Sequence, residues 1–84
     1  MFKIVIKKSA QKELAKLPQK MVVLIDNEIL KLASQPKPVG SIKLQDKTNR
    51  YRIRVGDYRI IYSIDNDKLI VEIVLIRHRK EAYK

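Results

Sequence analysis

The sequence predicts an α+β domain, a helical hairpin packed on one face of a curved, mainly antiparallel sheet in the order β-α-α-β-β-β with a short C-terminal tail or helix. Three observations lead there. Apolar residues recur at helical spacing only between residues 10 and 34; on either side they alternate with period two; and a loop with two prolines, QPKPVG, divides the helical part from the strand part. Eighty-four residues are enough for one modest core and too few for two, so residues 1–84 read as a single domain.

The opening strand spans Phe2 to Lys7, where Phe2, Ile4 and Ile6 alternate with Lys3, Val5 and Lys7. Ser9 stands at an N-cap position before Ala10, Leu14 and Leu17, which predict a short amphipathic helix over 10–17. Pro18 ends it and opens the next, because proline disfavours helical geometry in the preceding residue yet fits a first helical turn. From Gln19 to Ser34 the stripe Val22, Ile25, Ile29, Leu32 and Ala33 predicts the longer helix.

After the proline loop everything reads as strand. Ser41 to Gln45 is a short edge strand and Asp46 to Asn49 a turn. Arg50–Val55 and Tyr58–Ile64 alternate on either side of Gly56-Asp57, a two-residue connection suited to a type II′ or I′ hairpin. Asp65-Asn66-Asp67 turns the chain into Lys68–Ile76, whose nearly unbroken apolar run predicts a central strand covered on both faces.

Charge narrows the function. Nineteen Lys and Arg stand against nine Asp and Glu, a formal net charge of +10, which favours an anionic partner such as nucleic acid. There is no cysteine, so disulfides and thiolate zinc sites are excluded, and the lone His78 excludes a multi-histidine metal site. No apolar stretch approaches the roughly twenty residues of a membrane span, and MFKIVIKKS lacks the features of a secretion signal, so the cytoplasm is the expected compartment.

The segment RYRIRVGDYR places four arginines in ten positions. With a strand period of two, Arg50, Arg52 and Arg54 share one face while Tyr51, Ile53 and Val55 share the other, and the hairpin brings Arg59 close to Arg52 and Arg54. Guanidinium groups are permanently charged planar forks suited to phosphate oxygens. The tail adds Arg77, His78, Arg79, Lys80 and Tyr83 at one end of the same face. Such a surface suits a bent single strand of nucleic acid better than a regular duplex. Tyr51, Tyr58 and Tyr62 read as sheet packing, not as platforms for bases.

RNA cleavage by internal transfer needs a base for the ribose 2′-hydroxyl, a cation for the phosphorane and an acid for the leaving oxygen. Arginine supplies the cation but is a poor base, its pKa lying above about 12. His78 and Tyr83 are the residues of the cluster suited to proton transfer. The carboxylates Asp46, Asp57, Asp65, Asp67 and Glu81 show no metal-ligand spacing, and no metal or other cofactor is expected.

The combination of YRIRVGDYRIIYSID and IRHRKEAYK, following a strand and two helices, resembles the RelE family of the RelE/ParE toxin–antitoxin superfamily over essentially the whole chain. The resemblance implies a metal-independent endoribonuclease that cuts messenger RNA in the ribosomal A site by attack of the 2′-hydroxyl on the adjacent phosphate, so halting translation. It implies Arg59, Arg79 and Tyr83 as catalytic residues; with arginines where the family has lysines, proton transfer falls to Tyr83 and to His78, the fourth catalytic candidate. Arg79 would contact the phosphate or assist the leaving group, and Tyr83 would serve as base or stacking partner. Arg52 and Arg54 fall where the family has lysines, and with Arg50, Arg77 and Lys80 they would hold the RNA backbone. Arg77 itself replaces a glycine common among relatives. Implied partners are a RelB-like antitoxin, in a hetero-oligomer with the toxin, together with the ribosome and its mRNA, and no membrane. ParE-like inhibition of DNA gyrase and an inactive basic RNA- or protein-binding module are the alternatives.

Overall fold

A computed structural model describes residues 1–45 and 49–82. The opening alternation forms β1 (Lys3–Ile6), whose Ile4 and Ile6 pack on the core. The chain then enters α1 (Lys8–Ala15) two residues earlier than the apolar spacing predicts, with Lys7 at the N-cap. Ser9 is therefore inside the helix and caps nothing; its hydroxyl donates to the carbonyl of Val74 at 3.3 Å. Pro18, extended at φ −57° and ψ 144°, is the N-cap of α2 (Gln19–Lys31). Ile25 and Ile29 of α2 and Leu32 just beyond it are buried, as their spacing requires.

The strands are β2 (Ile42–Lys43), β3 (Arg50–Val55), β4 (Tyr58–Asp65) and β5 (Ile70–His78), followed by the single turn α3 (Arg79–Ala82). They form one sheet in the order β1-β5-β4-β3-β2, antiparallel except for the parallel pair β1–β5. Apart from the short two-residue edge strand β2, which makes the sheet five-stranded, the β-α-α-β-β-β order and the helical hairpin on a small mixed sheet match the predicted class. The predicted turn at Asp46–Asn49 lies largely outside the described residues.

Side-chain parity sorts the sheet into two faces. Tyr51, Ile53, Val55, Ile60, Tyr62, Ile64, Val71, Ile73 and Ile76 are buried with Ala10, Ile25, Ile29 and Leu32 between sheet and helices. Tyr62 is fully buried, stacks on Tyr51 with ring centroids 5.9 Å apart, and donates its hydroxyl to the Pro36 carbonyl at 2.7 Å. The sheet thereby pins the proline loop.

β5 lies between β1 and β4, central as expected, but only its helix-facing side is deeply covered; Ile70, Glu72, Leu75 and Arg77 are half-buried. Its apolar run has a different cause from the one its sequence suggests. Ile61 faces Leu75 whereas Tyr62 faces Ile73, so Val74 is the extra residue of a β-bulge and is buried next to Ile73.

Candidate nucleic-acid interface

The β3–β4 connection is tight enough to place arginines side by side. Gly56 adopts φ +58° while Asp57 stays outside the positive-φ region, the pattern of a type II′ turn. With Val55 opposite Tyr58, the register sets Arg54 directly opposite Arg59 and Arg52 opposite Ile61. β5 then adds Arg77 opposite Arg59. Arg54, Arg59 and Arg77 thus form a row across three adjacent strands, and Arg50, Arg52 and Arg54 form a second row along β3. Beside them lie Ile61 and Leu75, a half-buried apolar pair.

Arg77 joins the arginine face as expected of the tail, but His78 does not. Without a bulge, Tyr58 would pair with Arg77, and His78 would emerge on the arginine face. The extra residue at Val74 shifts the pairing by one, so that Arg77 meets Arg59 and His78 meets Tyr58. The His78 ring packs edge-on against Tyr58 at a centroid distance of 5.1 Å, and its Nδ1 accepts the backbone N–H of Lys80 at 3.2 Å. Tyr58 itself packs against the core, so His78 belongs to the helix side of the sheet end and not among the guanidinium groups.

Arg79 starts α3 at the hairpin turn: its N–H donates to the Asp57 carbonyl at 2.7 Å, and its guanidinium lies 4.0 Å from the Asp57 carboxylate. Both side chains are mainly exposed, so this ion pair is worth little beside the backbone bond that anchors the tail. Arg79 and Lys80 are exposed, while Tyr83 lies outside the described residues.

Sequence reasoning missed two carboxylates that flank the cluster. Asp57 meets Arg79 at the turn, and Glu13 of α1 lies 3.7 Å from Arg77 and 3.8 Å from Lys16. Because β1 ends at Ile6, α1 continues along β5 and carries Glu13 to the margin of the arginine row.

A rigid strand support fixes the row: Arg54 is exposed, while Arg59, whose Nε is buried, and Arg77 are half-buried. Glu13 offsets the charge of Arg77 at one end of the row, and a phosphate group laid across Arg54, Arg59 and Arg77 would be attracted by all three cations. The arrangement is suited to phosphate charge, and proton transfer needs a group other than arginine.

Residues 4–83 match the model of the ParE toxin family of type II toxin–antitoxin systems. The chain is 29% identical over 84 residues to toxin RelE of Mycobacterium tuberculosis, covering 99% of this chain and 87% of that protein. Its fold superposes on that of the archaeal RelE–RelB complex from Pyrococcus horikoshii with a TM-score of 0.84 and 29% identity, over 93% of this chain and 94% of that one. The RelB–RelE antitoxin–toxin complex from Methanococcus jannaschii gives a TM-score of 0.74 at 26% identity, over 95% of each chain. The chain therefore belongs to the ParE toxin family, a type II toxin of the RelE/ParE superfamily.

Proposed function

We propose that this toxin is a ribosome-dependent mRNA endonuclease that acts by metal-independent attack of a ribose 2′-hydroxyl on the adjacent phosphorus. The observation that carries this reading is the row Arg54–Arg59–Arg77. In the reaction the 2′-oxygen bonds to phosphorus and the bond to the 5′-oxygen breaks, giving a cyclic phosphate and a free 5′-hydroxyl. Arg59 and Arg77 would neutralise the phosphorane, while Arg50, Arg52 and Arg54 would hold the backbone leading to it. Arg79, held at the hairpin turn, would contact the leaving side. Tyr83, by family resemblance, would take the 2′-hydroxyl proton or stack on a base. His78, turned toward Tyr58, is better suited to setting the start of the tail than to acid–base work.

A RelB-like antitoxin is the proposed partner. The Pyrococcus and Methanococcus relatives are complexes with RelB. Here the net charge of +10 and the exposed Val23, Leu24 and Leu30 on α2 suit an acidic, amphipathic segment. Such a toxin acts where translation occurs, in the cytoplasm.

Expression in cells followed by mapping of mRNA 5′ ends tests the reading. Cuts within translated codons are expected for the natural sequence and should disappear on Arg59→Gln or Arg77→Gln. The family match to ParE toxins favours a second reading, gyrase inhibition. Growth arrest with intact mRNA and altered DNA topology would establish that one and overturn ours.

A further inference from the structure

The two kinds of cation in this chain are segregated. All six arginines lie between residues 50 and 79, on β3, β4, β5 and the start of α3, whereas the first twenty residues contain six lysines, one glutamate and no arginine. Lys8 and Lys12 of α1 and Lys16 at its C-cap recur every four residues, so three ammonium groups share one side of the helix over about 12 Å. All three are exposed, and Lys8 and Lys12 line a shallow depression with Gln11 and Ala15. Glu13, the single acidic residue of α1, lies 3.8 Å from Lys16 and 3.7 Å from Arg77 and marks where this surface meets the arginine row.

The composition of the face selects its partner. None of the large exposed hydrophobic residues lies on α1. Protein interfaces centre on apolar and aromatic residues and are depleted in lysine, so a face made of lysine, glutamine and alanine offers a protein no anchor. It also offers no aromatic ring on which the bases of a single strand would stack, and no arginine fork. What it offers is a line of mobile, strongly hydrated point charges, suited to the sequence-independent phosphate backbone of a duplex.

We propose that the α1 lysine face is a second RNA-contact surface that holds the backbone of double-stranded RNA, apart from the arginine row that takes the single strand. It shares with the function proposed above only the choice of RNA as partner, and its test does not depend on cleavage.

The test compares Lys8→Gln/Lys12→Gln/Lys16→Gln with a charge-matched control, Lys3→Gln/Lys43→Gln/Lys68→Gln, whose three sites are also exposed. Binding to a blunt RNA duplex is followed by fluorescence anisotropy across a salt series. The α1 variant should weaken binding at least about tenfold at low salt and flatten the slope of log K against log salt by roughly 2 to 3. The control should keep the natural slope. Equal losses in both variants would reduce the effect to net charge and overturn the proposal, as would an unchanged slope in the α1 variant. Loss of binding to a polyglutamate peptide with duplex binding intact would assign the face to an acidic protein instead. A third variant, Arg54→Gln/Arg59→Gln/Arg77→Gln, should retain duplex binding and lose single-strand binding; persistence of mRNA cleavage in it would overturn the preceding proposal alone.

Discussion

Replacing Tyr62 with Phe isolates one hydrogen bond on which the loop between helices and sheet depends. The Tyr62 side chain is fully buried and its hydroxyl reaches the Pro36 carbonyl at 2.7 Å, so the phenylalanine ring fits the same space but leaves that carbonyl without its donor. The net value of such a bond is about 0.5–1.5 kcal/mol, rising toward about 3 where the abandoned acceptor stays out of water. We expect Tyr62→Phe to cost about 1–2 kcal/mol at pH 7, read by urea denaturation, or about 4–8 °C in melting temperature for each kcal/mol. The pH dependence provides an independent check. Burial pushes the Tyr62 phenol up from 10.0 to about 12, with a Ser41 hydrogen bond pulling weakly downward and neighbouring Tyr51 adding a small rise. The folded state thus favours the neutral phenol, and this contribution is fully present below pH 10 and lost as pH rises through about 12. The stability gap between natural protein and variant should shrink above pH 10 by about 1.4 kcal/mol per pH unit, the other titrating groups cancelling in the difference. A gap that stays constant from pH 7 to 11 would refute the argument, since it would mean that the phenol ionises as freely in the folded protein as in the unfolded chain.

Deleting Val74 removes the bulge residue and should leave the domain folded by circular dichroism, because Leu75 would then follow Ile73 in a regular ladder that keeps Ile76 inward and Arg77 on the arginine face. Gly56→Ala should destabilise by about 1–2 kcal/mol in chemical denaturation, the penalty of a side chain at φ +58°. Leu69, at φ +55° and about half exposed, is strained in the same way, so Leu69→Gly should be neutral or raise stability by up to about 1 kcal/mol. Asp57→Asn should change stability by less than about 0.5 kcal/mol, since the exposed ion pair contributes little and the backbone bond from Arg79 remains; a larger loss in thermal denaturation would show that the carboxylate anchors the tail.

The sequence by itself determined which segments become helix and which become strand, because period and turn chemistry are local. Alternation in Arg50–Val55 and Tyr58–Ile64 around Gly56-Asp57 was enough to pair Arg54 with Arg59, since a two-residue turn leaves little freedom of register. Boundaries moved only at the ends, as when Lys7 displaced Ser9 from the N-cap of α1. The placement of the tail was not legible in the same way. An unbroken apolar run does not reveal whether two consecutive residues are both buried, and at Val74 they are, so every side chain beyond it changes face. That single bulge carries Arg77 to the arginine row and His78 to Tyr58. Glu13 likewise reaches Arg77 only because short β1 lets α1 lie along β5. Long-range register, set by packing between elements distant in sequence, decided these contacts; local pattern carried no information about them.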